Sequence, residues 1–67
     1  MKLPVRIIIM SHLSDIQEVL SNGSSISKLL SIRINFIKWL ILKYNETDVR
    51  IDADAEFALF SKSINNN

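Results

Sequence analysis

The chain has no cysteine, one glycine, one proline and one histidine in 67 residues. Without cysteine there is no disulfide framework and no thiolate metal site. His12 alone cannot assemble a zinc site. With Gly23 as the single glycine, no glycine-rich loop exists to cradle a phosphate. A chain this short hides only about 60% of the surface it exposes unfolded, so a lone core is marginal. With the usual staples missing, helical packing or self-association must supply the stability.

What is present argues against disorder. Apolar residues make up 48% of the chain and charged residues 22%. Disordered chains are poor in the first and rich in the second. Only 63–67 reads as a disordered tail, which leaves 1–62 as one small domain. The lack of cysteine fits a reducing compartment, and the expected location is the cytoplasm. The apolar run Ile7–Met10 is too short for the core of a secretory leader, and no small-residue cleavage site follows it. Met10 offers a second start, which would make residues 1–9 an upstream extension.

The net charge of +1 hides an asymmetry. Residues 1–44 carry six basic and two acidic side chains, net +4; residues 45–67 carry two basic and five acidic, net −3. Such halves attract each other within or between chains, or the basic half meets phosphate.

The pattern predicts a mainly α protein. Its centre is an antiparallel helical hairpin, with a short helix about 12–22 and a long helix about 25–44. Ser14 followed by Gln17 forms a capping box, and Asp15 and Glu18 suit a helix N-terminus. Asn22-Gly23 ends the first helix, and Gly23 should take positive φ there. Ser24 or Ser25 caps the second helix. Val5-Arg-Ile-Ile-Ile9 reads either as a β-branched strand or as an extension of the first helix, with Pro4 in its first turn. Val49-Arg-Ile51-Asp alternates, giving a second small strand at 48–52. Asp52 or Asp54 caps a short C-terminal helix about 53–61.

On a helical wheel of the long helix, Ser27, Lys28, Ser31, Asn35 and Lys38 share a narrow polar arc. The rest is apolar over more than half the circumference, whereas a surface helix needs a stripe of only about 100°. Ile32, Trp39 and Leu42 flank the polar arc and, with Phe36, are the candidate interface residues. Trp is enriched at binding hot spots. Arg33 falls inside the apolar arc and should meet a carboxylate, with Asp48, Asp52, Asp54 and Glu56 as candidates.

No catalytic, cofactor or metal signature emerges. Asp52-x-Asp54-x-Glu56 has the opening of a calcium loop, but residue 57 is Phe where that loop needs Gly, and residue 63 is Ser where it needs Glu. His12 beside Ser11 and Ser14 lacks the third orienting group of a triad. The stretch 26–44 is long enough to cross a bilayer. It carries Lys28, Arg33, Asn35, Lys38 and Lys43, however, and each central charge costs about 2.5–3.5 kcal/mol. No integral span is expected. Lysines opposite Trp39 and Phe36 suit instead a helix lying on an anionic membrane surface.

The run from Val19-Leu20 through Gly23 and Ser25-Ile26 to Trp39-Leu40 resembles the helix-turn-helix of small DNA-binding domains. That resemblance implies groove contacts from Asn35, Lys38, Lys43 and Lys28, with Arg33 near a phosphate. The run departs from the pattern in lacking the glycine before the recognition helix, and it is about one turn short. The expected function is a small non-enzymatic interaction or assembly protein, a homo-oligomer or part of a larger complex. A DNA-binding regulator is the alternative, and a membrane-surface helix a second one.

Overall fold

Val5, Ile8, Ile9 and Ile16 recur at helical spacing from the start of the chain, and that period prevails over the β-branched character of the run. The computed structural model describes residues 1–23 and 28–65. Its elements are β1 (Leu3–Pro4), α1 (Val5–Ser21), α2 (Lys28–Lys43), β2 (Arg50–Ile51) and α3 (Ala53–Asn65). The chain is mainly helical, and α1 and α2 pack as the expected hairpin.

The start of α1 corrects the sequence reading. Of the two readings of 5–9, strand or helix extension, the helix is the one found, and α1 begins at Val5 rather than about 12. The Ser14 capping box does not form, because Ser14 lies in mid-helix. The physical reason comes from the other end of the chain. The first N–H groups of a helix have no partner within it. Here Val5 N–H donates to Val49 O at 2.9 Å and Arg6 N–H to Thr47 O at 3.1 Å. Backbone carbonyls more than forty residues away replace a side-chain cap. Pro4 precedes the helix in extended geometry, φ −57° and ψ 142°.

The expected strand at 48–52 shrinks to Arg50–Ile51. It pairs antiparallel with β1, Leu3 opposite Ile51 and Pro4 opposite Arg50. At the hairpin turn, Gly23 has φ +79°, the left-handed conformation expected of it. The proposed caps Ser24 and Ser25, with Ile26 and Ser27, lie outside the described residues. Asp52 caps α3: its Oδ1 accepts from Asp54 N–H at 3.1 Å and from Ala55 N–H at 3.4 Å. The helix continues to Asn65, four residues past the expected end and into the stretch expected to fray; Asn66 and Asn67 lie outside the described residues.

Candidate functional site

The hairpin has two flanks. On the first, Val5, Ile8, Phe36, Leu40, Ile51 and Phe60 form the main core, with Ile9, Ile32, Trp39, Tyr44 and Ala53 packed against it. Phe36 is its hub. Its ring meets Phe57 edge-on at 5.2 Å, Phe60 at 5.4 Å, His12 edge-on at 5.4 Å and Trp39 stacked at 6.1 Å. The α3 helix therefore folds back over the face of α2 that carries Trp39.

The four expected interface residues are not placed alike. Ile32, Phe36, Trp39 and Leu42 do not form one exposed patch. Phe36 is 1% exposed, and Ile32 and Trp39 are half-buried against the same core. Leu42 is 83% exposed. It stands apart, among the polar positions of α2. The reason is that Phe57 and Phe60, spaced three apart on α3, supply the cover within the chain.

A polar cluster closes the edge of this flank. Glu56 is buried and accepts from Lys43 Nζ at 3.1 Å and from the Tyr44 hydroxyl. Lys43 Nζ also lies 4.6 Å from the centre of the Trp39 ring, a cation–π contact. The hydrogen bond to Glu56 raises the Lys43 pKa. Burial, and then the bond to Glu56, raises that of Tyr44. The sequence signal for Glu56 was its position three residues after Ala53 and four before Phe60, on the inward face of α3.

The acid that meets Arg33 is Asp15 of α1, at 2.6 Å, not one of the C-terminal candidates. Three of those are otherwise placed: Asp48 pairs with Arg6 at 3.1 Å, Asp52 caps α3, and Glu56 holds Lys43. Two of these ion pairs join the basic half of the chain to the acidic half, so the charge asymmetry is used internally.

Of the candidate nucleic-acid contacts, Arg33 and Lys43 are thus engaged within the chain. Lys28, Asn35 and Lys38 share the exposed strip of α2 that also carries Leu42. From Lys28 to Lys43 the helix is unbroken. The second turn that a helix-turn-helix within that run would need is not formed between Lys28 and Lys43.

His12 is half-buried. Its Nδ1 is buried without a hydrogen-bond partner among the described residues. Burial, and then the nearby Arg33 charge, holds its pKa below the ordinary 6.5. Beside the Arg33–Asp15 pair an open groove is lined by Glu18, Val19, Leu29 and Leu30. Of its charged groups, Arg33 and Asp15 pair with each other. Among the described residues, no group of His, Asp and Glu side chains is placed to hold a metal ion, and no helix is long and apolar enough to cross a membrane.

The second flank is built from the same two helices. Ile16, Leu30 and Ile37 form a smaller core with Ile9 and Ile34 beside them. Helical spacing extends this surface along α1 to Leu13 and Leu20, and along α2 to Ile41. These three are 50%, 46% and 55% exposed. No residue of α3 belongs to this core. Compared with protein-family models, curated proteins and solved structures, the chain matches none.

Proposed function

We propose that this chain is a small, non-enzymatic interaction protein of the cytoplasm that acts as an oligomer or docked in a larger assembly. One observation carries the reading. Among the described residues, nine hydrophobic side chains are buried, while fourteen large ones are exposed. Single exposed apolar residues are ordinary on any protein, but contiguous ones mark contact surfaces. Here three of them continue the smaller core along one flank. Mass in solution, with capture of partners from the source cell, tests the reading. An assembly protein sediments above 7.7 kDa or comes out bound to a stoichiometric partner; a lone monomer with no partner contradicts it.

A DNA-binding regulator is the second reading, supported by Lys28, Asn35 and Lys38 on one exposed strip of α2. A titration of duplex DNA at rising salt separates the two. A regulator binds with an affinity that falls steeply as salt rises, whereas an assembly protein does not bind.

A further inference from the structure

We propose that His12 is a proton-operated switch on the hub of the covered flank. When the ring takes a second proton it leaves Phe36, draws Asp15 away from Arg33 and loosens the hairpin beneath α3. The switch belongs to the single folded chain and holds whatever that chain docks with.

Three features converge on this ring. The first is its buried nitrogen. Neutral imidazole carries one N–H, whereas the charged ring carries one on each nitrogen. His12 Nδ1 is buried and meets no hydrogen-bond partner among the described residues. A neutral ring protonated on Nε2 leaves only a lone pair there. The charged ring places an N–H donor, and part of a positive charge, where nothing accepts it. An unmet charged donor costs more than an unmet neutral group.

The second is position. The ring stands edge-on to Phe36 at 5.4 Å, and Phe36 also meets Trp39, Phe57 and Phe60. A core ring that loses a neighbour forfeits the contacts on that side. Displacing His12 therefore disturbs the residue on which the cover of α3 rests.

The third is charge. Two charged groups face the ring, Arg33 from α2 and Asp15 from α1. The helix α3 turns Phe57 and Phe60 toward this core, and its Glu56 is held by Lys43 and Tyr44 near the C-terminal end of α2. Asp15 lies three residues after His12, on the same side of α1. Neutral His12 leaves it to Arg33, 2.6 Å away, in the one ion pair that joins α1 to α2 among the described residues. Charged His12 competes for that carboxylate and repels Arg33. One proton thus weakens the tie between the helices and drives the ring from the hub.

The direction follows from the surroundings. With the ring in place, burial and then Arg33 hold its pKa below 6.5, and Asp15 opposes them in part. A ring released to water returns to about 6.5. Above that pH the ring stays on Phe36. Below it, the ratio of open to closed chains rises by up to about tenfold per pH unit, until the ring in place is itself charged.

Trp39 reports the hub, because it stacks on Phe36 and lies 5.9 Å from Phe60 of α3. The test titrates the full chain from pH 7.5 to about 5, a window around the ordinary His pKa. Trp39 emission and the His12 ring resonances are followed together. The emission should move to longer wavelength along the His12 curve, and His12→Gln should hold it level. Arg33→Gln should raise the His12 midpoint, and Asp15→Asn should lower it. A wild-type midpoint at 6.5 or above means a solvated ring and overturns the proposal, and that reading stands even where His12→Gln fails to fold. Emission that stays level while His12 titrates overturns the link to the hub. A transition that survives in His12→Gln belongs to another group and overturns the assignment. A midpoint unmoved in both charge variants overturns the competition for Asp15.

Discussion

The two flanks of the hairpin share α1 and α2 and differ in what lies on top. The covered flank is aromatic: Phe36 and Phe60 touch each other and both Trp39 and Phe57, with His12 at the edge. The bare flank is aliphatic, and among the described residues its core comes from the two helices. Aromatic rings bury large areas in few rotamers, so a short third helix carrying Phe57 and Phe60 is enough to close the first flank. The aliphatic flank buries three residues between two helices and leaves the next ring of side chains in water. One flank is closed within the chain, and the other leaves Leu13, Leu20 and Ile41 about half exposed.

The largest effect is expected from Phe36→Ala, which removes the hub of the covered flank. Such a substitution costs about 3–5 kcal/mol, close to the whole stability that a core this small supplies. Urea or thermal unfolding followed by circular dichroism should show the fold largely lost. Mild destabilisation would contradict the role of α3 as the cover of this flank.

Gly23→Ala acts on the turn common to both flanks. No atom lies within 4 Å of the position an added Cβ would take, so the cost is conformational only. At φ +79° it should be about 1–2 kcal/mol. Asp52→Ala removes the cap of α3 alone and should cost about 1 kcal/mol. Amide exchange should then speed up in α3 and not along Ile16, Leu30 and Ile37. Equal loosening of both flanks would show that they do not respond separately.

The smallest effect is electrostatic. Within the fold, burial and then Arg33 hold His12 below its ordinary pKa of 6.5. The unfolded chain therefore binds that proton more readily. The stability that neutral His12 contributes is complete above pH about 6.5 and is lost progressively as pH falls below it. His12→Gln should flatten melting temperature between pH 7.5 and about 5.5; an unchanged slope would mean that the ring is solvated.

Much of this architecture was legible in the residues. Gly23 marked the turn, the unbroken run after it marked α2, and Asp52 marked α3. The excess apolar arc of α2 measured how much surface had to be covered but not by what. Trp39 was assigned to another chain because Phe57 and Phe60, twenty residues on, belong to a local pattern of their own. The choice between strand and helix at the start of α1 stayed open for a similar reason. Its capping carbonyls, Thr47 and Val49, are backbone groups that carry no residue signature. Arg33 was rightly expected to need an acid, but an inventory of charge by segment pointed to the acidic tail rather than to Asp15, which faces it across the hairpin.

The contrast between the flanks is tested most directly by methyl-resolved NMR over a dilution series of the full chain. The methyl resonances of Leu13, Leu20, Ile34 and Ile41 should shift together along one association curve, while those of Leu42 and Leu59 stay fixed at every concentration. Bare-flank methyls that never move, or Leu42 moving in their place, would contradict the account.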